Sequence, residues 1–74
     1  MMYPAEVTRE NVSGHWFWGI KSKKLKGCVA QGDTIEESMR EFEDNEREWI
    51  NTAPKFGIKV PKMLHNEDFE KEND

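Results

Sequence analysis

Apolar and polar residues alternate near the start of the chain. Tyr3, Ala5 and Val7 fall between Pro4, Glu6 and Thr8, a period of two that predicts a strand over Tyr3 to Arg9. Pro4 has no N–H to give to a ladder, so the strand begins there or lies near an edge at that point. Asn11 to Gly14 is turn chemistry. His15 to Ile20 carries the strongest alternation, with Trp16, Trp18 and Ile20 on one face and His15 and Phe17 on the other. That pattern puts Trp16 and Trp18 in the expected core. Lys21 to Lys26 reads as a lysine-rich connection turned by Gly27, and Cys28 to Gln31 as a short third strand that stops at Gly32.

The period then changes to that of a helix. Thr34 followed three residues later by Glu37 is a capping box, and Glu36 suits the positive end of a helix dipole. Ile35, Met39, Phe42, Trp49 and Ile50 make one apolar stripe, interrupted by Asn45 and Glu46 where the next core contact should fall. Asn51 and Thr52 fray the end and Pro54 prevents continuation. Phe56 to Pro61 suits a short fourth strand or an extended flap, with Met63 and Leu64 as final anchors. Residues 63–74, polar and charged from His65 onward, are expected to form an acidic disordered tail behind a domain spanning 1–62.

Three antiparallel strands and one long helix make an α+β two-layer sandwich. A fourth strand beside the first would give the order 3-2-1-4. A single helix leaves one sheet face uncovered, and that face, with His15 and Phe17, is where a second copy is expected to sit.

Composition sharpens this picture. The chain has 74 residues, of which only 14 are Leu, Ile, Val or Phe, so the core is thin. A chain of this size buries roughly 60% of its unfolded surface and is marginal alone. With one cysteine, Cys28, no intramolecular disulfide can compensate, and association into a dimer or tetramer is the expected remedy. No Cys/His cluster suggests a metal, no apolar run is long enough to span a bilayer, and the start of the chain lacks the features of a signal peptide. A cytoplasmic protein without cofactor is expected.

Charge is uneven along the chain. Residues 1–32 hold five Lys/Arg and two Asp/Glu, whereas residues 33–74 hold six and thirteen, balances of +3 and −7. Such asymmetry suits docking of charged partners. The expected helix carries Glu36, Glu37, Glu41, Glu43, Asp44, Glu46 and Glu48 against Arg40 and Arg47. Most of that set makes a solvated face. Within it, Glu41, Asp44 and Glu48 are the candidate contacts for a basic partner. Lys21, Lys23, Lys24 and Lys26, near Trp16, Phe17 and Trp18, are the candidates for contact with nucleic acid. Neither His15 nor His65 has an identifiable partner for general-base work, and Glu6 alone among the strands is a carboxylate too few for two-metal chemistry. Catalysis by this chain is not expected.

One stretch resembles a known family. Leu25-Lys26-Gly27-Cys28-Val29-Ala30-Gln31-Gly32-Asp33-Thr34-Ile35-Glu36-Glu37-Ser38-Met39 is similar to the signature of HicB-like antitoxins, a Leu-x-Gly-Cys turn, then Gln/Glu-Gly-Asp-Thr, then Glu-Glu opening the long helix. Tyr3-Pro4-Ala5 resembles the family's first strand and Gly57-Ile58-Lys59-Val60-Pro61 its flap, so the likeness runs over residues 3–62. The resemblance implies a partial ribonuclease H fold and a protein that binds a small HicA-like mRNA-cleaving toxin stoichiometrically. Two departures stand out: Lys23-Lys24-Leu25-Lys26-Gly27 is basic where the family loop is acidic or neutral, and Asn45 and Glu46 stand where small and apolar residues are usual. Many family members also carry a C-terminal DNA-binding unit. Residues 63–74 are too short and acidic to form one, so direct DNA binding by this chain is not expected. The runner-up reading is a stand-alone oligomeric module of the same family with no toxin, touching nucleic acid through its lysines.

Overall fold

The computed structural model describes residues 2–62, and the expected acidic tail over 63–74 lies outside them. Strands β1 (Ala5–Val12), β2 (His15–Ser22) and β3 (Val29–Gly32) form one antiparallel sheet in the order β1-β2-β3, followed by helix α1 (Ile35–Thr52) and a 3-10 turn (Ala53–Phe56). The α+β architecture is therefore as the periodicity implies.

The strand ends differ from those expected. β1 runs to Val12, past the expected end at Arg9, because Ser13 and Gly14 alone make the hairpin loop, with φ of 53° and 86°. Two consecutive positive φ values match the right-handed twist of the flanking strands, so Asn11 and Val12 pair with Trp16 and His15 and leave the turn to those two residues. The register continues to Ala5 opposite Ser22, and beyond it the Lys23 N–H donates to the Pro4 carbonyl at 2.9 Å.

Helix α1 starts as its capping box dictates. The Thr34 hydroxyl accepts from the Glu37 N–H at 3.1 Å, and the Glu37 carboxylate accepts from the Asp33 N–H at 3.2 Å. The helix packs on β3 and in part on β2, and does not reach β1. Contact with β3 is close at Gly32, where a Cβ would stand 2.5 Å from the Ser38 backbone nitrogen. Between the layers lie Ile20, Ala30 and Phe42, joined by Tyr3, Leu25 and Cys28 from the connecting segments.

Two expectations are corrected here. Trp16 is not core: it is 53% exposed, and Trp18 is only half-buried. β3 ends at Gly32, opposite Trp18, so among the described residues no third strand or helix lies over Trp16. Arg9 covers both rings instead, its guanidinium 5.4 Å from the Trp16 centroid and 4.9 Å from that of Trp18. Nor does a fourth strand form among the described residues, so the order 3-2-1-4 reduces to its first three members. After Gly57, at φ 72°, residues 58–62 run without regular structure. Val60 packs on the core and the Tyr3 hydroxyl donates to the Pro61 carbonyl at 2.6 Å.

Candidate functional site

The interruption in the helical stripe turns out to be a pair of polar clamps. Glu46 is 1% exposed, and its carboxylate accepts from the Met2 N–H at 3.1 and 3.2 Å and from the Tyr3 N–H at 3.2 Å. The segment leading into β1 is thereby tied to the helix. Its neighbour Asn45 turns toward the β3 edge, where its amide donates to the Val29 carbonyl at 2.8 Å. Among the described residues every buried side-chain polar atom has a hydrogen-bond partner. The clamps were missed from the sequence, although a charged residue at a core position of an apolar stripe is a signal that a partner is waiting.

Asn45 also locates the acidic candidates. Glu41 and Glu48 lie four residues before and three after it, so both neighbour Asn45 on the helix surface and border the β3 edge. Both are exposed, as is Asp44, which forms an ion pair with Arg47. Glu37, Glu41, Asp44 and Glu48 thus make one acidic flank along α1. At its C-terminal end opens a shallow cavity of about 360 Å³, whose lining includes Val29, Trp49, Phe56 and Ile58 together with Glu48 and Asn45. Phe56 is 74% exposed there, and the Trp49 indole N–H donates to the Lys26 carbonyl at 3.0 Å. An apolar hollow beside an acidic rail can take a partner that presents large apolar side chains among basic ones.

The basic candidates do not gather with the aromatics. Lys23, Lys24 and Lys26 sit exposed on the loop after β2, and Lys21 lies on the sheet face away from the helix. That loop is ordered: the Ser22 hydroxyl accepts from the Leu25 N–H at 3.0 Å, Leu25 is buried, and Gly27 turns the chain at φ 86°. Trp16 stands six residues before Ser22 on the same strand, about 20 Å away at the usual strand rise. Trp16 and Phe17 also point to opposite faces. A continuous stacking platform next to the lysines is therefore not formed.

Of the residues expected on the oligomer face, Phe17 is half-buried and His15 is exposed, its Nε2 2.9 Å from the Asp33 carboxylate. That face also carries Glu6, Thr8, Glu10 and Gln31, so it is more polar than the two aromatics suggest. Cys28 is buried. Burial, and secondly the negative charge of Glu46, push its thiol pKa up and keep it protonated at neutral pH. Among the described residues no three His, Cys, Asp or Glu side chains converge on a point that would hold a metal ion, and no helix is long and apolar enough to cross a membrane. Compared with protein-family models, curated proteins and solved structures, the chain matches none.

Proposed function

We propose that this chain is an antitoxin-type protein that binds a small HicA-like mRNA-cleaving toxin and neutralises it sterically, with no chemistry of its own. The observation that carries the reading is the acidic flank of Glu41, Asp44 and Glu48 bordering the apolar hollow of Trp49, Phe56 and Ile58. A toxin that grips RNA is basic on its working surface. A rail of carboxylates steers such a surface into contact, and apolar groups beside the rail hold it once docked. The order of turn, third strand, cap and helix over Leu25 to Met39 also suits the family that this stretch resembles. In this reading the protein works in the cytoplasm, where mRNA is cleaved, and self-associates through the sheet face of His15 and Phe17.

Charge reversal tests the reading. Glu41→Lys with Glu48→Lys should slow association with a basic HicA-like toxin and reduce its salt dependence. Folding should be nearly unchanged, since exposed substitutions of this kind shift stability by about 0.5 kcal/mol or less. Lys23→Glu with Lys24→Glu should leave toxin binding intact. If the lysine variant alone fails, and it fails against single-stranded RNA, the nucleic-acid-binding module is the correct description and the antitoxin reading falls.

A further inference from the structure

Among the described residues nothing pairs with the outer edge of β1. The Pro4 carbonyl is bonded to Lys23 and the two-residue loop pairs Val12 with His15. Alternation therefore turns the N–H and C=O groups of Glu6, Thr8, Glu10 and Val12 toward β2, and those of Ala5, Val7, Arg9 and Asn11 outward. Among the described residues no strand pairs with this edge and α1 does not reach it. The strand is eight residues long, with no proline or lysine within it, and its pairing with β2 is unbroken by a bulge. Those are common devices by which edge strands are protected. What β1 has instead is charge: Glu6 and Glu10 on the face away from the helix, and Arg9 on the other.

That charge decides what can pair there. For a second copy of the chain running antiparallel, registers centred on Glu6, Thr8, Arg9 or Glu10 set Glu6 on Glu6, Glu6 on Glu10, Arg9 on Arg9 or Glu10 on Glu10. Registers centred on Ala5, Asn11 or Val12 overlap by three residues or fewer, and the one centred on Val7 leaves Glu6 diagonal to both Glu6 and Glu10 of the other copy. Like charges directly opposed across strands are destabilising, so β1 is a poor partner for itself. It is a good partner for a strand of opposite pattern. Positions across from Glu6 and Glu10 would be non-hydrogen-bonded pairs, the closer kind, at which a lysine or arginine reaches a carboxylate readily. Across from Val7, itself 43% exposed, an apolar side chain would be covered.

We infer that the outer edge of β1 accepts, by antiparallel strand addition, an extended segment of another protein with basic residues four apart facing Glu6 and Glu10 and an apolar residue facing Val7. The edge lies across the sheet from β3 and the Glu41–Glu48 flank, so this inference does not depend on the antitoxin reading.

Amide hydrogen exchange on the full chain tests it, with two synthetic peptides as probes, one alternating lysine with valine and the other glutamate with valine. The lysine peptide should slow exchange at Val7, Arg9 and Asn11 and leave Thr8 and Glu10, already bonded to β2, as they were. Glu6→Lys with Glu10→Lys should weaken its binding roughly tenfold or more. On the unaltered protein the glutamate peptide should bind weaker by a similar factor, a comparison that holds even if the double variant fails to fold. Equal binding of both peptides, protection confined to other amides, or protection of the same amides by concentrating the protein alone would each overturn the proposal.

Discussion

β3 and β1 are the two edges of one sheet, and the helix treats them differently. β3 has four residues, lies under α1 and has its first outward carbonyl, that of Val29, taken by Asn45. β1 has eight residues and no contact with α1 along its length, and Glu46 ties the helix only to the chain just before it. One edge is thus shortened and capped, and the other is long and, among the described residues, guarded by charge alone. A thin core explains the division. With Phe42, Ile20 and Leu25 as the large fully buried apolar side chains, one helix can cover about half a sheet. The uncovered half is where Val7 and Trp16 meet solvent.

The two clamps hold the two edges with unequal strength. Glu46→Ala should cost about 3 kcal/mol, because the Met2 and Tyr3 amides lose a charged acceptor in a largely buried site. Asn45→Ala, which releases an exposed bond to Val29, should cost about 1 kcal/mol. Urea denaturation of the two variants measures the difference. Similar losses would mean that the two edges are held alike. A second contrast sharpens the covered side. Gly32→Ala should cost about 2 kcal/mol, since its Cβ meets the Ser38 backbone, which cannot yield. Gly19→Ala, on the open face, meets only the ends of the Glu10 and Thr8 side chains at 3.0 Å and should be nearly neutral in thermal melts.

The smallest effect expected is alkaline. Burial, then the charge of Glu46, raise the pKa of Cys28 above its ordinary 9.0 and of Tyr3 above its ordinary 10.0. In the unfolded chain these groups lose their protons first, so the unfolded state binds fewer protons as pH rises. Their contribution is therefore complete below about pH 9 and is lost as the pH climbs through the raised values. Cys28→Ala should remove the earlier part of that decline in a series of urea midpoints taken from pH 8 upward.

Much of this fold is legible in the residues. The capping box at Thr34 and Glu37, the two-period strand through His15 to Ile20 and the stop at Pro54 act through neighbours in the chain, so no tertiary information is needed to see them. The acidic flank is legible for the same reason, as exposed residues at helical spacing keep their meaning wherever the helix docks. Trp16 misled because alternation says which residues share a face and not how far the opposite layer extends. The clamps of Asn45 and Glu46 looked like a defect because their partners lie 16 and 43 residues away.

The kinds of element, their order and the charge each carries follow from local residues, since helix caps, turns and side-chain periodicity are properties of a few adjacent positions. Long-range packing set which half of the sheet the helix covers, that a buried glutamate holds the start of β1, and that no described strand pairs with the outer edge of β1. Those outcomes depend on where β3 ends and on the close approach at Gly32, which set the position of α1 over the sheet. Position over a sheet is a matter of packing between distant segments, and no local pattern encodes it.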